Sequence, residues 1–265
     1  MTVGATPAPL VELGGVSVTY DVPRQHAVVE ALQSVDLAIA RGSFTSLIGP
    51  SGCGKSTLLR VVADLMAPTS GQVLIEGQTP ACARRARQIG FVFQEPALLE
   101  WRSVLENVAL PLELQGIGRA KREAEAGRLI DLVGLSGFEA VWPSQLSGGM
   151  KQRASIARAL STSPHVMLMD EPFGALDQIT RDRMNLELAR VFEETGVTVL
   201  FVTHSIREAV FLSDNVIVMS PRPGRIVRNI EVELPRPRNL LVRDSQTFGE
   251  LVRIGARELE QGYDA

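Results

Sequence analysis

The run Gly49-Pro50-Ser51-Gly52-Cys53-Gly54-Lys55-Ser56-Thr57 fills every fixed position of the pattern G-x-x-x-x-G-K-[ST]. No other stretch constrains the chain as tightly. Glycines let the backbone curl into a nest of N–H donors, and a helix starting at the loop's end turns the positive end of its dipole toward the same spot. That combination attracts phosphate. Lys55 supplies a point charge for the terminal phosphates of a nucleoside triphosphate, and Ser56 a hydroxyl ligand for Mg²⁺.

A glycine-rich turn between strand and helix is often simple punctuation. Here lysine is scarce, with only Lys55, Lys121 and Lys151 in the chain, and the flanks have the required order. Residues 44–48 (FTSLI) form a mostly apolar run of strand type, 57–65 reads as a buried helix, and Pro68 and Gly71 close it. Strand, loop and helix in that order are the context in which the pattern binds phosphate.

With 265 residues, 45% hydrophobic and 22% charged, the sequence suits one large or two small globular domains with a sizeable core. A formal net charge of −3 gives no bulk attraction to nucleic acid or anionic lipid. No window approaches the ~18 consecutive apolar residues of a membrane span, and the opening residues lack the basic and apolar regions of a signal peptide. The expectation is a cytosolic protein. Cys53 and Cys82 are too few for a disulfide framework and suit a reducing compartment.

Alternating apolar and polar residues at 11–13, 16–20 and 35–39 predict strands with one wet face. Strand-like runs follow at 73–75 and 89–93, the second ending at Gln94. From 103 to about 160 the period becomes helical, over 104–114, 121–133 and 149–160, with breaks at Gly116, Gly118, Gly134 and Pro143. An all-helical insertion is the simplest reading. Short apolar runs at 166–169, 198–202 and 216–219 predict buried parallel strands between helices. Beyond Pro221 the chain is rich in proline and arginine, and 248–260 is predicted to be helical. The fold class is α/β, with a helical insertion and a short tail.

A triphosphatase also needs acids at the end of a buried strand, and Val166-Met167-Leu168-Met169-Asp170-Glu171-Pro172 provides them. Asp170 suits the Mg²⁺ shell and Glu171 the role of general base toward water. His204 directly follows the 198–203 run, at the carboxyl end of a predicted parallel strand, where ligand sites of α/β folds lie. Two readings stay open for it, a γ-phosphate contact and a structural group. His26 and His165 have no such context. In Leu146-Ser147-Gly148-Gly149-Met150-Lys151-Gln152-Arg153, Ser147 is a good N-cap, and two glycines strip side chains from a helix start.

Taken together, the phosphate loop, the acidic strand, the histidine and the LSGGMKQR run resemble the ATP-binding subunits of ABC transporters, in family order and over about 10–228. The resemblance implies a P-loop, RecA-like core with an N-terminal antiparallel β subdomain and a helical subdomain at about 100–160, flanked by tails at 1–9 and 229–265, the latter with a short helix. It implies that Tyr20 stacks on adenine, that Gln94 touches Mg²⁺ and senses the membrane partner, and that Asp177 in Gly174-Ala175-Leu176-Asp177 links two active sites. It also implies that Leu146, Ser147, Gly148, Gly149 and Met150 of one copy close over the phosphate loop of another. The expected ligands are ATP and Mg²⁺. The expected partners are a second copy, two transmembrane permease subunits and a solute-binding protein, with no nucleic acid. The expected location is the cytoplasmic face of the cell membrane.

A finer resemblance, to nitrate, sulfonate and taurine importers, rests on residues 98–108, 219–226 and 234–238, which lie outside the ATP chemistry on this reading. Three residues depart from that group: Glu100 where proline is frequent, Asp64 where glycine is usual, and Ser205 where an acid commonly follows the histidine. Alternatives are another ABC importer or exporter class, an ABC-type ATPase acting on DNA or ribosomes, and a small-molecule kinase with a phosphate loop. The kinase has no use for LSGGMKQR.

Overall fold

The computed structural model describes residues 8–22 and 27–264; His26 and most of the tail expected over 1–9 lie outside them. In chain order the first half holds β1 (Val11–Val22), β2 (Ala27–Ile39), β3 (Phe44–Ile48), α1 (Lys55–Val62), β4 (Ser70–Ile75), α2 (Pro80–Arg85) and β5 (Ile89–Val92). Three helices follow, α3 (Val104–Leu114), α4 (Arg119–Leu132) and α5 (Gly148–Leu160). The chain then runs through β6 (Val166–Asp170), α6 (Gln178–Thr195), β7 (Thr198–Val202), α7 (Ile206–Leu212), β8 (Asn215–Met219), β9 (Ile226–Glu231) and α8 (Gln246–Asp264).

Strands β2-β1-β4 form an antiparallel sheet, and β5-β6-β7-β3-β8-β9 a second sheet that is parallel except for β9. The two runs predicted at 11–13 and 16–20 are one strand. The Gly14-Gly15 pair between them hosts a register shift, with Gly15 at φ 58°, so the glycines bulge the strand without ending it. β3 and β7 are buried at every position, as central parallel strands must be. Helix α1 lies in the core shared by both sheets, with Leu58, Leu59 and Val62 fully buried alongside Val11, Ile39, Leu47 and Val202. A second core around Phe44, Phe201 and Phe211 continues into the helical segment through Val108, Leu129 and Ile130.

Helix α3 starts where its sequence says, because Ser103 and Glu106 form a reciprocal capping box. Asp64 has φ 57°, the left-handed region that favours glycine. Its carboxylate, 2.8 Å from Arg84 Nε, gives that residue a use that glycine lacks. Glu100 pairs with Lys151 on α5 at 3.7 Å, and Ser205 caps α7 by accepting the Glu208 N–H at 3.3 Å.

The division expected at residue 228 falls inside β9, which pairs with β8 from Ile226 to Glu231. Past it, the proline-arginine run packs back onto the core. Arg238, 5% exposed, donates to the carbonyl oxygens of Val210, Phe211 and Ser213 at 3.3, 2.9 and 2.7 Å, while Arg236 donates to that of Leu212 at 2.8 Å. These are the carbonyls that the end of α7 leaves without helical partners. Burial pushes the Arg238 guanidinium down to about 10, with Arg236 adding to the shift and Asp214 opposing it.

Candidate active site

The phosphate loop leaves the carboxyl end of β3 near the middle of the larger sheet, and α1 begins at Lys55. Gly54 has φ 107°, and a Cβ there would lie 2.6 Å from Leu32 Cδ2 and 2.8 Å from the Ala31 carbonyl oxygen. Only glycine fits that turn. Gly54 gives α1 no side-chain cap, so the first N–H groups of the helix stay open to an external anion. Gly49 is equally constrained, since its Cβ would meet Cys53 Sγ at 2.9 Å. Pro50 and Cys53 are buried, whereas Ser51 and Gly52 face solvent. Lys55, 5% exposed, donates from Nζ to the carbonyl oxygens of Gly49 (2.8 Å) and Pro50 (2.9 Å).

Ser51, Gly52, Gly54, Lys55, Ser56 and Thr57 line an open cavity of about 550 Å³, closed on other sides by Tyr20, Val29, Ala31, Arg60, Met66, Glu171 and Arg222. That volume suits a nucleotide-sized ligand. Tyr20, on β1, holds its hydroxyl 3.1 Å from Thr57 Oγ1 and donates to Met66 Sδ at 3.3 Å.

β6 ends at Asp170, whose Oδ1 accepts a hydrogen bond from Ser56 Oγ at 2.7 Å. Burial pushes the Asp170 carboxyl up from its usual range, and the adjacent Glu171 adds to this, while Ser56, Arg60 and Lys55 oppose it. Mg²⁺ prefers hard oxygens and takes one or two from protein beside substrate phosphates. The Ser56 hydroxyl and the Asp170 carboxylate are such donors, and a desolvated carboxylate beside a second acid favours an incoming cation. The residues fit the ion.

Glu171 has a left-handed backbone, φ 45°, held by its N–H to Val202 O (3.0 Å) and by the Gly174 N–H to its own carbonyl (3.0 Å). A non-glycine residue in that region stores about 1–3 kcal/mol. His204 Nδ1 lies 3.5 Å from Glu171 Oε2. Gln94 follows β5, and a Cβ on Gly174 would lie 3.6 Å from Gln94 Nε2 and 3.7 Å from Glu171 Oε2, so both side chains flank one turn. Gln152, on α5, donates to the Phe93 carbonyl at 3.2 Å and steadies the residue before Gln94.

The remaining predicted residues sit elsewhere. Ser147 caps α5 by accepting the Met150 N–H at 3.3 Å; Ser147 and Gly148 are exposed, Leu146 and Gly149 buried. A Cβ on Gly149 would lie 3.2 Å from Thr180 Cγ2, so the start of α5 is seated on the start of α6. Asp177 caps α6, and the Thr180 N–H, at 3.0 Å, holds its carboxyl below the usual range. Among the described residues lining the phosphate cavity, none comes from 146–150, and Asp177 is also absent.

The sequence reading missed Arg222. Residues 219–226 were expected to lie outside the ATP chemistry; the structure corrects this. Arg222 lines the cavity and donates to the Gly52 carbonyl from Nη2 at 3.0 Å and Nε at 3.3 Å. Gly224 presses so closely on the loop that a Cβ would lie 2.0 Å from the Cys53 carbonyl oxygen. A charged donor on one loop carbonyl steadies the loop without reaching the reacting atoms. Arg222→Ala is therefore expected to raise the KM for ATP about fivefold with kcat little changed. An ATP titration of the ATPase rate with the parent KM would remove Arg222 from the site.

A family profile described as ABC transporter matches residues 32–174. The chain belongs to the ABC transporter family. It is an ATP-binding ATPase of the kind coupled to transport. An uncharacterized ABC transporter ATP-binding protein of Methanocaldococcus jannaschii is 48% identical over 80% of this chain and 78% of its own. The taurine import ATP-binding protein TauB of Rhizobium johnstonii is 46% identical, covering 80% of each chain. The aliphatic sulfonates import ATP-binding protein SsuB of Bacillus cereus is 39% identical over 95% of this chain and 96% of its own. Among solved structures, a dimeric ATP-binding cassette in a post-hydrolysis state with ADP and phosphate superposes with a TM-score of 0.74 at 36% identity, covering 85% of this chain and all of that one. The fold is that of the P-loop nucleotide hydrolases. Within this ABC ATPase, no helix of the described residues is long and apolar enough to cross a membrane.

Proposed function

We propose that this chain is the ATP-hydrolysing subunit of an importer for a small solute such as taurine, another sulfonate or nitrate, working as a homodimer with two ATP molecules sandwiched between copies. One observation carries the dimer reading. The helix start at Ser147 and Gly148 is exposed and contributes nothing to the phosphate cavity of its own chain, which leaves it available to the cavity of another. The dimeric relative at 36% identity supports the same arrangement. The cargo reading is supported by the taurine and sulfonate import relatives.

In this mechanism Tyr20 stacks on adenine, and residues 49–57 wrap the phosphates through backbone N–H groups. Lys55 leaves the Gly49 and Pro50 carbonyls for the β- and γ-phosphate oxygens. Ser56, Asp170 and Gln94 would hold Mg²⁺, which would supply neutralisation of phosphate charge. Glu171 takes the proton of the attacking water as its oxygen bonds to the γ-phosphorus and ADP leaves. His204, beside Glu171, orients that water and the γ-phosphate. Leu146, Ser147, Gly148, Gly149 and Met150 of the second copy cover the γ-phosphate, and Asp177 joins the two sites. The cassette runs from 10 to the end of β9 at Glu231, past the boundary of 228 read from the sequence, with the helical subdomain at about 100–160 facing the permease subunits on the cytoplasmic side of the membrane, and a solute-binding protein delivers cargo on the other side.

Composite sites make rate depend on assembly. ATPase activity per subunit is expected to rise with protein concentration until the dimer is saturated. A flat profile down to concentrations where light scattering shows only monomer would favour a self-contained site and overturn the reading.

A further inference from the structure

Glu208, in the first turn of α7, is 5% exposed, and nothing in the chemistry above uses it. Buried acids are rare unless their oxygens are partnered. Thr203 Oγ1 donates to Glu208 Oε2 and accepts the Ser205 N–H at 3.0 Å, while Ser205 Oγ accepts the Glu208 N–H at 3.3 Å. These three bonds close a ring around His204. Thr203 is anchored in turn, its N–H donating to Leu47 O at 3.2 Å on the strand that leads into the phosphate loop.

On its other side Glu208 meets α6. The buried Asn185 side chain and the Arg181 guanidinium both favour the charged form of its carboxyl. Arg181 also donates to the carbonyl oxygens of Phe173 (3.3 Å), Gly174 (3.4 Å) and Leu176 (2.9 Å). The acid thus sits on the loop that carries His204, in a helix that packs against the one fixing 173–177. Among the described residues neither Glu208 Oε1 nor Asn185 Oδ1 has a hydrogen-bond partner. Burial raises the Glu208 carboxyl above its usual range, with Thr203, Arg181, Asn185 and His204 pulling the other way.

We propose that Glu208 is a positioning residue for ATP hydrolysis, holding the His204 loop against Glu171 through its bonds with Thr203 and Ser205. The proposal rests on the reading of Glu171 and His204 as the reactive pair. Small misplacements of such groups are costly in rate.

ATPase kinetics and ATP affinity of the full-length protein test it. Glu208→Ala is expected to lower kcat about tenfold with ATP affinity within about twofold. Glu208→Gln keeps the side chain's size and an acceptor for Thr203, and is expected to restore most of the rate. Thr203→Val, which leaves the acid in place, is expected to behave like Glu208→Ala. In a His204→Ala background, adding Glu208→Ala is expected to cost less than about twofold more, because its effect passes through His204. A parent kcat in Glu208→Ala or Thr203→Val, or an undiminished loss on top of His204→Ala, overturns the proposal. A parent kcat in His204→Ala alone overturns instead the reading of the reactive pair, and the positioning role with it. If Glu208→Ala does not fold, Thr203→Val and Glu208→Gln decide: a parent rate in the first, or no recovery in the second, overturns it.

Discussion

Glu171→Gln is expected to lower kcat by about 10²–10⁴-fold while ATP still binds. Gln has the size of Glu and no basic oxygen, so the attacking water keeps its proton. The left-handed backbone at residue 171 is fixed by the Val202 and Gly174 hydrogen bonds, which the substitution leaves alone. Its charge also opposes ionisation of Asp170, so removing it favours the anion that holds Mg²⁺. Binding is thus retained, and ATP-bound dimer should accumulate on size exclusion in the presence of ATP and Mg²⁺. Hydrolysis by Glu171→Gln at the parent rate would show that another group is the base.

The second large effect is on affinity. Lys55→Ala is expected to weaken ATP binding about 100-fold, the loss of roughly 3 kcal/mol of charge-assisted bonding to phosphate. The ammonium is already buried and bonded to Gly49 and Pro50, so its ordering costs little when ATP arrives. Lys55→Ala and Lys55→Met both leave those carbonyls unpartnered, and Lys55→Met, which fills much of the same volume, separates the loss of charge from the loss of packing. Equilibrium binding of a fluorescent ATP analogue measures both variants. Parent affinity in each would sink the assignment of Lys55.

What the sequence made legible was local. Helix α3 at 104–114 stands where the period of its residues put it. Strands β3, β6 and β7 announce themselves as apolar runs because both faces are covered. The residues assigned to the phosphate loop and to Asp170, Glu171 and His204 converge at the carboxyl ends of β3, β6 and β7, a consequence of strand order that α/β topology makes readable. What escaped was long-range. Arg222 meets Gly52 across 170 positions, and no local pattern around a Pro-Arg-Pro-Gly run specifies that distance. Glu208 carries no local signal at all, because its burial comes from packing of α7 against other elements.

The carbonyls at the end of α7 are satisfied by Arg236 and Arg238, the first of which is synthesised 24 positions after Leu212. A ribosome adds about 5–20 residues per second, so that interval is on the order of 1–5 s. During it, the helix that begins just after His204 ends in bare acceptors inside an apolar neighbourhood, a state that water must serve until the arginines emerge. The end of the helix behind His204 is thus completed only by residues that follow it in the chain, once Arg236 and Arg238 have docked.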